Sequence, residues 1–321
     1  MAVPAPKRKK TLWRRMRRAT RGPRNAVLAR GIYLVARTVG LLPAPIALGL
    51  GRALGSAAHG LLGKPRRLAR EHVALAFPEL GERERVALVR ATFRHAGQSY
   101  AELALWPRLA RDAEYVQIER RELLDEALAG GRGCLAITGH VGNWELLAAR
   151  IASLGYGLSV VARRVNDERF DALVRRFRGG AGMEILLRDD PRFLANVREA
   201  LGRNRIVAML IDQDSRGGGV FVPFFGRPAH TPPGAAILAL RTKAPVVTVF
   251  IHRRPSGRHV IRFERVPIRP GTGKVMDLTA RFTRSIEDAI RESPAEWVWW
   301  HERWRRQPDG ETSVDELSAD A

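Results

Sequence analysis

The chain has 321 residues, 45% of them hydrophobic, with 55 basic and 33 acidic side chains and one cysteine. That length supplies core for one large domain or two small ones, and the lone Cys134 excludes an internal disulfide and makes a cytoplasmic setting the default. A net charge of +22 calls for an anionic partner: anionic lipid, an acidic carrier protein or nucleic acid.

The first 25 residues carry ten basic and no acidic side chains, and read as a poorly ordered basic arm. Removing that arm and the acidic last fourteen residues leaves 45 basic against 28 acidic side chains, so the positive field belongs to the body of the protein. Residues 26–63 change character: between Thr38 and Gly63 the only charge is Arg52, and the uncharged runs of 14 and 11 residues are broken by Pro43, Pro45 and several glycines. Such runs are short for a spanning helix and fit a segment that lies on, or dips into, a membrane surface. Arg30 and Arg37 are seven residues apart and share one helical face, from which they can snorkel towards headgroups. Both flanks are basic, so charge asymmetry assigns no direction across a bilayer, and a cleaved signal peptide is not expected.

Residues 66–110 predict two helices separated at Phe77-Pro-Glu-Leu-Gly81. From Cys134 onward strands and helices alternate. Strands are expected at Cys134–Thr138, Leu158–Arg163, Glu184–Leu187 and Ile206–Asp212, with helices at Asn143–Leu154, Asp167–Arg178 and Pro191–Arg203 between and after them. A helix at Pro233–Thr242, a hairpin of Val246–Arg253 with His259–Val266, and a helix at Asp277–Arg291 follow. This predicts an α/β fold, a layered and mainly parallel or mixed sheet flanked by helices, with an N-terminal membrane-associated helical segment. Residues 64–307 form the catalytic domain in this reading, and 308–321 a disordered acidic tail. Cys134 reads as a packed strand residue.

The chemistry centres on His140-Val-Gly-Asn-Trp-Glu145, at the turn after the first of these strands. A histidine base and a carboxylate to orient it suit proton removal from a hydroxyl. A helix starting here would aim N–H groups at developing negative charge, and Glu145 on its first turn is expected to fold back onto the imidazole. The same spacing recurs at His259 and Glu264, but on a strand those positions point to opposite faces and cannot meet. Arg163, Arg164 and Asn166 end the next strand, where a guanidinium can hold a phosphate or an oxyanion. Asp212, Gln213 and Asp214 end a third. Two acids there could bind a metal, but hydrogen bonding to site residues is preferred, and no metal site is expected. Strand ends on one sheet edge build a site. Phe224-Phe-Gly-Arg-Pro-Ala-His230 reads as a loop lining an apolar channel. Trp297, Trp300 and Trp304 share a helical face, either in the core or at a membrane interface.

These blocks, taken in order, resemble the bacterial lipid A biosynthesis acyltransferases, the late lauroyl/myristoyl transferases within the lysophospholipid acyltransferase superfamily. The similarity runs through the apolar N-terminal segment, Ala74-Leu-Ala-Phe-Pro-Glu-Leu80, the His140–Glu145 block, Arg163-Arg-Val-Asn166, Asp212-Gln-Asp214 and the Trp-rich end. His72-Val departs from the Asn-Leu of many relatives. The resemblance implies acyl transfer from acyl carrier protein to a hydroxyl of an anionic lipid A precursor, at the cytoplasmic face of the inner membrane. It implies His140 as base, Glu145 as its partner and Arg164 as the substrate or oxyanion contact, with N–H groups near Gly142 and Asn143 as further candidates. No resident cofactor is expected; acyl carrier protein or coenzyme A brings the acyl group as co-substrate. No serine sits in a nucleophile elbow, so no acyl-enzyme is expected. Three alternatives stay open: transfer to another glycolipid or lysolipid, hydrolysis, and a non-catalytic basic protein on membrane or nucleic acid. The ordered turn motifs weigh against nucleic acid.

Overall fold

The structure, a computed structural model, describes residues 25, 28, 30–164, 171–172, 178–180, 182–214, 217–268 and 274–308. The acidic tail, nearly all of the basic arm, Asn166 and most of the helix expected at Asp167–Arg178 lie outside these residues.

A helix over 30–40 (α1) stops ahead of Pro43, and α2 (Ala44–Leu61) begins with Pro45 in its first turn, where the missing N–H costs nothing. Two further helices, α3 (Gly63–Ala76) and α4 (Glu82–Leu109), are separated at Phe77–Gly81 as the sequence predicts. Small residues let α2 lie directly on α4. A Cβ at Gly55 would come within 2.2 Å of the Phe93 carbonyl oxygen, and one at Gly97 within 2.1 Å of that of Gly51.

The α/β part is built on seven strands: β1 (Val116–Glu119), β2 (Cys134–Thr138), β3 (Leu158–Ala162), β4 (Glu184–Leu187), β5 (Ile206–Leu210), β8 (Val246–Arg253) and β9 (His259–Arg265). Their order is β1-β9-β8-β2-β5-β3-β4, parallel throughout except for the β8–β9 hairpin. Side chains alternate between two cores, as strand periodicity requires. Leu135 and Ile137 of β2 enter the core that also holds α8 (Gly234–Thr242) and α9 (Val275–Glu292). Cys134 and Ala136 enter the other, with α5 (Glu122–Ala129) and α6 (Trp144–Ser153). The remaining helix, α7 (Phe193–Gly202), leads into β5.

Two expectations need correction. The Phe224–His230 stretch is not a loop but part of a separate hairpin, β6 (Val220–Phe224) with β7 (Arg227–Thr231). In this two-stranded ribbon Pro223 faces Pro228, a placement the middle of a sheet does not tolerate. The tryptophan segment is not a continuous helix either. A short 3-10 turn (Pro294–Glu296) gives way to turns, and Trp297, Trp299 and Trp304 are buried among Phe224 and Phe225 in the core. For Trp297 and Trp304 the core reading therefore holds, whereas Trp300, the third of the expected set, is half-buried against Phe93.

Candidate active site

Sheet register brings two polar side chains, His140 and Asp212, together. In the parallel pair β2–β5, Thr138 stands opposite Leu210. Two residues further along each strand are His140 and Asp212, both at the carboxyl edge of the sheet. The chain stays in step beyond the ladder, because the Ile211 N–H still donates to the Thr138 carbonyl at 3.3 Å. Gly139 makes room for the carboxylate, since a Cβ there would sit 3.2 Å from its carbon and one oxygen.

The Asp212 side chain is fully buried and accepts three hydrogen bonds. Its Oδ1 faces His140 Nδ1 at 2.7 Å, and its Oδ2 accepts the His140 backbone N–H at 2.7 Å and the Trp297 indole N–H at 2.8 Å. Burial pushes its pKa up, but His140 and the three donors outweigh this and hold it at about 2. An ionised Asp212 places the imidazole proton on Nδ1. That leaves the Nε2 lone pair, which has no partner among the described residues, open to the cavities. The edge of Trp144 packs against the ring, with centroids 4.8 Å apart.

The expected His140–Glu145 contact is not formed. Glu145 lies in the first turn of α6 and pairs with Arg178, which donates from Nε at 3.1 Å and also from Nη2. Five residues along a turn and a first helical turn carry the carboxylate away from the ring, while the neighbouring strand delivers another one directly. Asp212 is thus the imidazole's partner, through the hydrogen bonding to site residues preferred for it on sequence grounds.

Gly142 and Asn143 hold the turn, and this takes up the Gly142 N–H and the Asn143 side chain. Gly142 has φ +64°, and a Cβ there would lie 1.9 Å from the Ile251 carbonyl oxygen. Its N–H is already donated to the Glu296 carbonyl at 2.9 Å. Asn143 caps α6 by accepting from Leu146 N–H at 3.1 Å, and its amide donates to Glu102 at 2.7 Å. Glu102, fully buried on α4, also accepts from Tyr115 (2.6 Å), from both Arg253 terminal nitrogens (2.6 and 2.8 Å) and from His259 (2.9 Å). Burial would raise its pKa, but His259 and Arg253 hold it well below the usual carboxylate range. Burial, together with the Glu102 carboxylate beside it, raises the pKa of the Tyr115 phenol. His259 is therefore part of a buried network, and Glu264 is exposed on the other side of β9, as strand alternation requires.

Two cavities meet at His140. One of about 690 Å³ carries Arg163, Arg178, Arg188 and Arg305 beside apolar residues such as Leu187 and Phe193. The other, of about 320 Å³, lies between α4 and the tryptophan segment, lined by Tyr100, Leu103, Trp297, Val298 and Trp300. His140, Trp144, Gln213 and His301 line both. Arg163 is thus at the site, whereas Arg164 is exposed on the surface near Asp189, with 3.8 Å between their charged groups. Asp214 is held by His230 at 2.9 Å and Arg305 at 2.6 Å, so it anchors a cavity arginine. Among the described residues no group of three or more His, Cys, Asp or Glu side chains could hold a metal ion.

Sequence reasoning missed Arg178, His301 and Trp297. Burial, helped by the charges of His140 and Arg303 against Asp212 and Asp214, lowers the His301 pKa to about 4. It is therefore a neutral imidazole near pH 7, and its buried Nδ1 has no hydrogen-bond partner among the described residues. No spacing within the chain marks these residues, because each reaches the centre from a distant element.

A histidine base with a free Nε2 can activate a hydroxyl, and the adjoining apolar cavity can hold a hydrocarbon chain. Both features suit an O-acyltransferase on an α/β fold. Residues 17–306 match the family model described as bacterial lipid A biosynthesis acyltransferase, and the chain belongs to that family. It is 28% identical over 281 residues to the lipid A biosynthesis lauroyltransferase of Escherichia coli (strain K12), covering 84% of this chain and 88% of the relative. It is 25% identical over 278 residues to the palmitoleoyltransferase of the same organism, covering 85% and 89%. A phosphatidylinositol mannoside acyltransferase of Mycobacterium tuberculosis (strain ATCC 25618 / H37Rv) is 29% identical over 201 residues, 61% of this chain and 62% of the relative.

Proposed function

We propose that the protein moves a fatty acyl chain from an acyl carrier protein thioester to a hydroxyl of a lipid A precursor, at the cytoplasmic face of the inner membrane. The observation that carries this reading is His140, fixed through Nδ1 by buried Asp212 and presenting Nε2 where the two cavities meet. The lipid A relatives align over 84–85% of the chain, against 61% for the mannoside acyltransferase, which favours the former kind of acceptor. The net charge of +22 suits both an acidic carrier protein and lipid phosphates.

His140 Nε2 takes the acceptor hydroxyl proton as the oxygen attacks the thioester carbonyl. Asp212 stabilises the imidazolium. Arg178, oriented by Glu145, faces the developing oxyanion in place of Arg164, and neutral His301 donates a further hydrogen bond. The carbon–sulfur bond then breaks, the imidazolium returns its proton to the leaving thiolate, and an ester remains. The apolar cavity takes the acyl chain, and Arg163, Arg188 and Arg305 take the anionic part of the substrate.

His140→Ala should reduce transfer to background, by about 10²–10⁴-fold or more, with the circular dichroism spectrum unchanged. Mass spectrometry of the acylated product, with carrier-protein and coenzyme A thioesters as donors and lipid A precursor and mannoside lipids as acceptors, identifies the substrates. Substantial transfer by the folded alanine variant overturns the assignment.

A further inference from the structure

Inside a helix a serine or threonine often returns its hydroxyl to the carbonyl four residues back. Thr92, Thr279, Thr283 and Ser285 do so here, at 3.1, 2.7, 2.8 and 3.3 Å. Ser99, in the second half of α4, does not. Its hydroxyl meets the His95 ring at Nε2, 3.2 Å away. Both residues lie on one stripe of α4 with Ala96, Tyr100 and Leu103, and that stripe walls the apolar cavity beside His140.

The direction of this hydrogen bond is set from the far side of the ring. Glu296, which ends the 3-10 turn, is buried, and one of its oxygens lies 3.8 Å from His95 Nδ1. Burial would raise the Glu296 pKa. His252, 3.5 Å away, His95 and the Arg253 N–H, which donates to it at 2.9 Å, outweigh this and keep it ionised near pH 7. Burial, against the pull of Glu296, lowers the His95 pKa to about 4, so the ring is neutral. A carboxylate beside Nδ1 places the single ring proton there. Nε2 is then an acceptor, and the Ser99 O–H donates to it. A hydroxyl has one proton and two lone pairs. The Ser99 proton is committed, and no described residue donates to its oxygen. Ser99 Oγ is thus an acceptor for whatever fills the cavity. A bare hydrocarbon chain cannot use it; a hydroxyl can.

We propose that the apolar cavity takes an acyl chain that carries a hydroxyl group near its carboxyl end, and that Ser99 Oγ accepts the hydrogen bond from that hydroxyl. Two ties between Ser99 and the turn bearing the base set the position. The Ser99 carbonyl accepts from the Asn143 amide at 3.3 Å. Glu296, which fixes the His95 tautomer, takes the Gly142 N–H on its backbone carbonyl at 2.9 Å. The hydroxyl contact is therefore close to the reacting carbonyl rather than at the far end of the chain. Ser99 binds the chain and no bond to it is made or broken. The assignment of the chain rests on the acyltransferase reading, to which it adds the chemical class of the acyl group.

Full-length protein is given equal amounts of two competing acyl carrier protein thioesters and one acceptor. One thioester carries a plain chain, the other the same chain with a 2-hydroxyl, a 3-hydroxyl or a terminal hydroxyl, and mass spectrometry gives the product ratio. A 2- or 3-hydroxyacyl chain should be transferred about three- to tenfold faster than the plain one, and the terminally hydroxylated chain should not. Ser99→Ala should bring the ratio to within about twofold of unity, while Ser99→Thr, which keeps a hydroxyl, should retain the preference. The ratio is read within each variant, so a general loss of activity or stability cancels. Ser99→Cys, a weak acceptor, gives the same comparison where the alanine variant does not fold. Transfer of the plain chain as readily as every hydroxyacyl chain overturns the proposal and leaves the acyltransferase reading intact. A preference that survives Ser99→Ala, or one confined to the terminal hydroxyl, does the same. Transfer of no chain, from carrier-protein or coenzyme A thioesters, to lipid A precursor or mannoside lipids overturns both.

Discussion

Asp212→Asn isolates the contact on which the proposed mechanism depends. The substitution keeps the shape of the side chain but replaces one acceptor oxygen by an amide. Two N–H donors, from His140 N and Trp297 Nε1, converge on Oδ2, and one imidazole nitrogen faces Oδ1. The amide oxygen therefore takes the Oδ2 position and the NH2 turns towards the ring. Nδ1 must then accept, the imidazole proton moves to Nε2, and the base loses the lone pair that faces the substrate. The charge that stabilises imidazolium is lost as well. Together these should cost on the order of 10³-fold in kcat, about 4 kcal/mol of barrier, with KM changed little.

Stability supplies a second readout. The folded pKa of Asp212, about 2, lies below the ordinary 3.8. The ionised group therefore contributes stability that is fully present above about pH 4 and is lost as the pH falls through about 2, roughly 2 kcal/mol in all. The Asn variant should be less stable by about that amount at pH 7 and lack this part of the acid transition. Single-turnover transfer from acyl carrier protein, together with denaturant melts at several pH values, checks both. If Asp212→Asn transfers within about tenfold of the parent while Glu145→Gln is inactive and folded, the imidazole's partner in catalysis is Glu145 and the reasoning fails.

Gly142→Ala combines a left-handed backbone with a Cβ overlapping the Ile251 carbonyl. It should cost roughly 2–5 kcal/mol in a denaturant melt and displace His140; a variant as stable and active as the parent contradicts the close approach. Glu102→Ala leaves Arg253 and His259 buried without their carboxylate, and should destabilise by about 3–5 kcal/mol in the same assay. A loss below about 1 kcal/mol would show that the network is dispensable.

Much of the fold was legible because strands buried in a parallel sheet are short apolar runs bounded by turn residues. Cys134–Thr138 and Glu184–Leu187 were located to the residue. Edge strand β1, Val116-Gln-Ile-Glu119, alternates apolar with polar over only four residues before a charged stretch, and carries too weak a signal to read. The β6–β7 ribbon was hidden by Pro223 and Pro228, which argue against a strand until the ribbon is known to have only two. In the site, the His140 turn was legible as a strand end, and strand alternation correctly separated His259 from Glu264. The partner of His140 was misassigned because spacing along the chain reports only local geometry. Asp212 lies 72 residues away and is brought near by strand order, which composition and spacing do not encode.

The turn at His140 also shows how a centre of this kind can be rigid without a rigid sequence. Ile251 of β8 leaves no room for a side chain at Gly142, and the Glu296 carbonyl takes the Gly142 N–H. Glu102 of α4 holds Asn143, and Trp297 shares Asp212 with His140. Four elements distant in the chain therefore converge on residues 140–143, and the polar groups that could have served the substrate are spent on one another. The polar groups facing the cavities, among them His140, Gln213, the Arg178 guanidinium set by Glu145, the His301 ring and Arg163, Arg188 and Arg305, lie outside this packing or at its edge. The glycines and the asparagine of the motif are thus required for where the histidine stands, and the residues proposed to meet the developing charge come from outside it. Substitutions within the motif should accordingly affect folding and activity together, whereas changes at Arg178 or His301 should separate them.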